Sequence, residues 1–307
     1  MKFLALLAAL VLEQVRPLRE RERVDRLLHD YAAFIERHSN AGEYRHGVLA
    51  WIVFVGSIAA GTALVFWVLC GIGALLGLLW SIAVLYLTLG FRGFSDRLSE
   101  IEQALRVGDL DTARESLANW RRTNAAAGLE SGDIARAAIE QGLLVSHRQV
   151  FGTMAWFVAF GPAGAVVYHL AALLEETWGR RTEGGADTFG RFAARAFYWI
   201  DWVPARLTAA GLAVVGNFED AVYCWRMQSN LWTPQGDGII LASGAGALGV
   251  RLGGATPGGE GSELRPELGT GVEADLDRMP DAAGLIWKAL VLWIFVILVV
   301  SVAHALG

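Results

Sequence analysis

The chain has 307 residues, of which 54% are hydrophobic and 19% charged, with a net charge of −5 at neutral pH. A soluble domain carries roughly 45–50% apolar residues even with glycine counted, so this composition excludes an ordinary soluble globular protein. The acidic balance gives no basis for a nucleic-acid partner.

Twelve tryptophans and repeated glycine-interrupted apolar runs indicate an integral membrane protein. The expected fold class is all-α: a polytopic membrane protein with broken or re-entrant helices and a helical cytoplasmic insert. Residues 1–90 form an N-terminal membrane region. Within it, residues 1–12 are apolar after Lys2 and are expected to give a short inserted or interfacial helix rather than a signal peptide, since a small-residue cleavage site is not clear and Arg16-Pro17 follows at once. Residues 16–46 read as an exposed helical segment. Residues 48–69 and 72–89 are two spans joined by Cys70-Gly71, a transmembrane hairpin over 48–89. Cys70 and Cys224 fit neither a disulfide framework nor metal spacing, and burial is expected for both.

Residues 91–150 make the polar helical insert, in which Asp109 is placed to cap one helix and Asp133 the next. Residues 151–307 form the remaining membrane domain. Its first apolar run, 151–174, is interrupted by Gly161-Pro162-Ala-Gly164, and proline there breaks the helical ladder. A charged loop, 175–197, leads to the stretch 198–218, around which the chain is organised. There Asp201, Pro204 and Arg206 stand at the mouth of an apolar run. Pro204 suits the first turn of the helix that follows. Residues 238–254 are Gly-rich, 255–280 a Gly/Pro/acid-rich surface segment, and 286–306 a last transmembrane helix.

Segments 16–46 and 91–149 carry seven and eight arginines, and the 48–89 hairpin returns both to one face, the cytoplasmic one by the positive-inside rule. Gly307 then lies on the opposite face. Segments 151–174 and 203–217 either cross fully or dip in and return.

Several residues could carry chemistry. Asp201 and Arg206 either pair to bind an anion, or Arg206 snorkels to the interface. Gly244, Gly246 and Gly249 form a literal GxGxxG, which with Arg251 could hold an anion, or could serve close helix packing. Arg206 and Arg251 are expected to face one polar cavity. Glu140 and His147, seven apart on one helix face, are either a proton-handling pair or a solvated face. No HxxxH or CxxC spacing points to a metal, and no Gly-x-Ser-x-Gly to a serine nucleophile.

These pieces, taken in order, resemble one family. They are Arg106-Val-Gly-Asp-Leu-Asp-Thr-Ala-Arg114, Asp133-Ile-Ala-Arg-Ala-Ala-Ile-Glu140, Asp201-Trp-Val-Pro-Ala-Arg-Leu-Thr208, Gly244–Gly254 and Arg265-Pro-Glu-Leu-Gly269. Over about residues 90–300 the chain is similar to the CobD/CbiB family of cobalamin-biosynthesis membrane proteins. That resemblance implies an amide-forming enzyme of the adenosylcobinamide-phosphate synthase kind in the bacterial inner membrane. Such an enzyme attaches aminopropanol or its phosphate to adenosylcobyric acid with ATP and Mg²⁺.

On this reading Glu140 and Asp201 are the catalytic carboxylates, and Arg206, Gly244, Gly246, Gly249 and Arg251 bind the anionic groups. The implied partners are the lipid bilayer, a corrinoid or other anionic small molecule, and a second copy of the chain in a homo-oligomer. In two places, Gln141–Arg148 and Leu170–Thr177, the sequence departs from the family's polar pattern and is similar to AmpE. A non-enzymatic membrane regulator or ligand sensor is therefore the second expectation.

Overall fold

The structure is a computed structural model describing residues 2–15, 21–39, 43–122, 128–179, 188–255 and 264–306. The chain folds into two compact units that interleave in sequence. One comprises residues 1–90, 148–204 and 297–307, the other 91–147 and 205–296. The division runs through the segment 151–307 that the sequence leaves as one piece.

In the first unit, α1 (Lys2–Val15) is apolar all round and packs Ala5, Leu6, Ala9 and Leu10 inward, with α4 as its main neighbour. Helix α2 (Arg21–Ser39) follows, then α3 (Tyr44–Ile72) and α4 (Ala74–Thr88), which form the expected hairpin. Helix α3 is long and apolar enough to cross a membrane, and so is the stretch Ala74–Arg106, which begins with α4. Cys70 is exposed rather than buried, on the last turn of α3 just before the Gly73 turn that joins α3 to α4.

The run 151–174 is broken where the Gly-Pro sequence requires. Helix α8 (Gly152–Phe160) ends at Gly161, whose φ of 71° lies in the left-handed region, and α9 (Pro162–Leu174) begins with proline at its first position. The two helices pack on each other as a hairpin. Gly164 makes this possible, since a Cβ there would stand 2.3 Å from the Trp156 carbonyl oxygen. The C-terminal end of α8 is capped by Lys2, whose Nζ donates to the carbonyls of Val158 (2.7 Å) and Ala159 (3.4 Å). Each arm is about 14–20 Å long at 1.5 Å per residue, short of a ~30 Å hydrocarbon core.

Helix α10 (Arg191–Val215) already covers the end of the expected loop 175–197, so Pro204 lies inside a helix and not in its first turn. Interior proline leaves the carbonyl four residues back without its ladder donor. Here that carbonyl belongs to Ile200, and the Trp156 indole donates to it at 3.0 Å. The break in the ladder is thus satisfied by a side chain of α8.

In the second unit, α5 (Phe91–Arg106), α6 (Leu110–Arg121) and α7 (Ser131–Ser146) pack together through Phe94, Leu98, Ile101, Leu117 and Ile139. Asp109 caps α6 as expected, accepting from the Thr112 amide (3.1 Å) and hydroxyl (2.7 Å). Asp133 does not cap α7. That helix starts two residues earlier, and Asp133 pairs with Arg136 within its first turns.

Helix α11 (Phe218–Gln228) is capped by Asn217, and α12 (Gln235–Leu248) is buried along almost its whole length. The Gly-rich and surface segments then form a small sheet within an otherwise helical fold. Its strands are β1 (Val250–Ala255), β2 (Leu264–Gly269) and β3 (Val272–Glu273), in the order β2-β1-β3. Helix α13 (Met279–Leu306) starts before the expected 286–306 span, and the segment Leu276–Ala303 is a third candidate span.

Candidate functional site

Among the buried carboxylates are the two that the sequence singles out, Glu140 and Asp201, one in each unit. In the second unit Glu140, on the inner face of α7, is 1% exposed. A carboxylate taken out of water needs close compensation, since the unrelieved penalty is several kcal/mol. Its Oε1 accepts from the Gly253 amide at 2.7 Å, and its Oε2 accepts from Arg265 Nη1 at 3.0 Å and pairs with Arg121 Nη2 at 3.5 Å.

The Gly253 amide is free for this because the ladder is irregular there. Leu252 pairs with Leu268 and Gly254 with Arg265, so Gly253 faces both Pro266 and Glu267. Pro266 has no N–H to give, which suits a bulge. Gly253 has a φ of 77°, and a Cβ on it would stand 2.2 Å from the Pro266 carbonyl oxygen, so glycine is required. The Arg265 guanidinium also lies over the Trp232 ring, 5.3 Å from its centroid. Two cations thus converge on one anion, and an indole lies against one of the cations.

His147 does not join Glu140. It is fully buried, and its Nδ1 lies 3.0 Å from the Thr208 hydroxyl. Seven residues of helix separate the two side chains by about 10 Å along the axis, and each takes its own partner.

In the first unit Asp201 is 5% exposed, and its Oδ1 accepts the Tyr168 hydroxyl at 2.7 Å. Tyr168 is buried against Gly152, where any Cβ would fall about 2.1 Å from the phenol oxygen. Phe197, one turn before Asp201, packs on the Tyr168 ring and lies under the Arg148 guanidinium at 5.4 Å. Arg148 in turn pairs with Glu175 at 3.1 Å. Both partners of that pair sit in π-helical turns, His147–Phe151 and Glu175–Gly179, which flank the α8–α9 hairpin on either side. Such turns recur at functional sites.

The glycines require a correction. Gly244 and Gly246 lie in the buried body of α12, where their amides serve the helix ladder, and Gly249 is its left-handed C-cap, bonded back to Gly246. That is the carbonyl end of a helix, with the wrong polarity for an anion. Their role is close packing: a Cβ on Gly246 would meet the Asp220 carbonyl oxygen at 2.4 Å, and one on Gly244 the Leu143 side chain at 2.7 Å. Arg251 is exposed on β1 and pairs with Glu273 (3.5 Å) and Glu267 (3.9 Å). Arg206 is half-buried on α10. The partners that hold Glu140 and Asp201, namely Arg265, Arg121, Gly253 and Tyr168, were not singled out as site residues from the sequence. Of these, Gly253 and Arg265 lie inside the family-like segments Gly244–Gly254 and Arg265–Gly269.

The family model described as CobD/Cbib protein matches residues 4–286. The chain is 35% identical over 306 residues to the cobalamin biosynthesis protein CobD of Stutzerimonas stutzeri, covering 96% of this chain and 97% of that one. It is 36% identical over 220 residues to the protein of the same name in Chromobacterium violaceum, with 71% and 70% covered. With that of Leptospira interrogans it shares 28% over 203 residues, with 64% and 63% covered. No solved structure matches.

Proposed function

The chain belongs to the CobD/CbiB family, and we propose that it acts in cobalamin biosynthesis as a multi-pass protein of the bacterial inner membrane. The reaction is the ATP-dependent attachment of aminopropanol or its phosphate to a side-chain carboxylate of adenosylcobyric acid. One observation carries this reading above the AmpE-like one: the near full-length likeness, 96% of the chain, to a protein named for cobalamin biosynthesis.

The Glu140 cluster supports a role with anionic groups. Its two guanidiniums are held in place by one buried carboxylate, and arginine's planar fork suits phosphate or carboxylate oxygens. Glu140, saturated by three donors, acts as a positioning residue for Arg121 and Arg265. Asp201 is the better candidate for proton handling: it is buried, and its Oδ1 accepts from the Tyr168 phenol, a group that can itself exchange a proton. Arg206, on the same helix as Asp201, is retained as an anion-binding candidate.

Among the described residues no group of three or more His, Cys, Asp or Glu could hold a metal ion. Mg²⁺ commonly arrives with its nucleotide, bound by one or two carboxylates plus phosphates. Segments 16–46 and 91–149 face the cytoplasm on the arginine count, and Gly307 the other side.

Complementation tests the assignment. A bacterial strain lacking this amide-forming step, supplied with adenosylcobyric acid, is expected to regain cobalamin-dependent growth when it expresses the chain. Detergent-purified protein should form the amide product from adenosylcobyric acid, aminopropanol phosphate, ATP and Mg²⁺. Failure of both, with the protein present in the membrane, overturns the reading.

A further inference from the structure

Composition selects three helices as membrane spans and passes over α10, because Asp201 and Arg206 lower its mean hydropathy. Its two faces tell another story. The exposed side is a continuous stripe of Trp199, Val203, Leu207, Ala210 and Val214, with Trp202 beside it. These positions recur at helical spacing over four turns, and Trp199 and Val214 are 63% and 59% exposed. The buried side of the same stretch is mostly small or polar, with Asp201, Ala205, Thr208, Ala209 and Ala213 beside one larger residue, Leu212. A helix on the surface of a water-soluble domain is patterned the opposite way, polar outside and apolar within. Small and polar residues facing protein, with large apolar residues facing out, is the arrangement expected where the solvent is hydrocarbon.

Two further observations fix the depth. First, exposed side chains change in order along the axis. Arg191 and Arg195 come first, then the aromatic group Tyr198, Trp199 and Trp202, then Val203, Leu207 and Val214. That is the sequence of environments met on passing from water through headgroups into acyl chains, and the two arginines suit anionic headgroups. Second, Gly211 packs against Trp293 of α13, with a built Cβ 3.0 Å from the indole nitrogen. Trp293 lies well inside the Leu276–Ala303 candidate span, so this part of α10 shares that span's depth. The apolar length fits as well: residues 198–215 rise about 27 Å, against a hydrocarbon thickness of ~30 Å.

We propose that α10 is a further membrane-embedded helix, whose Trp199–Val214 stripe is covered by lipid acyl chains with the headgroup layer at Arg191–Trp199. Asp201 then lies about 9 Å below Arg195 along the axis, just beneath the interface, turned away from lipid toward Tyr168. The inference rests on the membrane reading of the chain and not on the synthase assignment, so a failed activity assay leaves it standing.

Spin labelling tests it. Single cysteines replace Arg191, Val203, Leu207, Ala210 or Val214 in the full-length Cys70→Ala, Cys224→Ala protein. Each is nitroxide-labelled in vesicles of phosphatidylcholine and phosphatidylglycerol. Collision with dissolved oxygen is compared with collision with a water-soluble nickel chelate. The oxygen-to-nickel ratio should be at least about tenfold higher at Leu207 than at Arg191, because a polar chelate is excluded from hydrocarbon, and it should fall again toward Val214. Ala210→Cys reports the same face should Leu207→Cys fail to fold. Nickel access at 207 and 210 equal to that at 191 overturns the proposal in favour of a water-exposed helix. Labels closed to both reagents overturn it in favour of a protein-covered face, such as contact with a second copy.

Discussion

Glu140 and Asp201 are both buried carboxylates on helices, yet the two units hold them by different means. Glu140 is neutralised by two arginines from α6 and β2 and by a backbone amide released at a bulge. Asp201 accepts a phenolic hydroxyl from the adjoining hairpin. The difference follows from what each unit can supply. The second unit has a helical insert and a small sheet, with arginines whose outer parts still reach water. The neighbours of Asp201 on α8 and α9 come from an apolar run with few polar side chains, of which the Tyr168 hydroxyl reaches Asp201 and the Trp156 indole the Ile200 carbonyl. The first carboxylate is locked by two guanidiniums, whereas the groups that hold the second include a phenol able to exchange a proton.

The largest expected effect comes from removing the locked carboxylate. Glu140→Ala leaves two guanidiniums and the Gly253 amide without their common acceptor, and breaking such a buried arrangement costs about 3–5 kcal/mol. Thermal unfolding in detergent should show a large loss of stability or of folded yield. Glu140→Gln, which keeps an acceptor for Gly253 but not the charge, should fall between. A Glu140→Ala protein that melts with the wild type would erase the contrast between the two sites.

The Asp201 side should behave otherwise. Tyr168→Phe removes one hydrogen bond to a carboxylate, and bonds to charged groups are worth about 1.5–3 kcal/mol. Asp201→Asn keeps an acceptor for the phenol, so its unfolding should stay within about 1.5 kcal/mol of wild type. If Asp201 handles a proton, the same variant should lose amide formation by about 10²-fold or more. An Asp201→Asn protein with full activity would remove Asp201 from the chemistry and leave it a packing role.

Much of this architecture is legible in the residues. The 48–89 hairpin, the break at Gly161-Pro162 and the Asp109 cap each rest on a local rule: apolar length, a missing N–H, or a carboxylate one residue before a helix. What the sequence hides is whatever depends on distant partners. Pro204 reads as a helix start because nothing nearby reveals that Trp156 will satisfy the Ile200 carbonyl. The GxGxxG reads as a phosphate loop because its spacing is silent on which end of a helix it occupies. Glu140 can be picked out as a carboxylate in an apolar helix, but Arg121 and Arg265 are 19 and 125 residues away from it. A strand in a Gly/Pro-rich stretch is equally hidden, since β1 exists only through its pairing with β2 and β3.

The smallest effect takes burial out of the comparison altogether. Asp109 is a fully exposed carboxylate, and it too is held by neutral donors, the amide and hydroxyl of Thr112. The backbone hydrogen bond from Thr112, followed by that from its hydroxyl, keeps the Asp109 carboxyl below its ordinary value of 3.8. A group whose folded value is depressed favours the folded state in its charged form. Its contribution is therefore complete above the ordinary value and is lost as the pH falls through the folded one. Asp109→Asn supplies a comparable cap that does not titrate. The wild type should thus match or exceed the Asn variant in melting temperature from neutral pH down to about 4, and lose ground only below that. Because the pair is open to solvent the shift will be slight, and salt should weaken it further. A difference between the two proteins that stays constant from pH 7 to 3 would mean that the charge of Asp109 contributes nothing, and that hydrogen-bond geometry alone holds the start of α6.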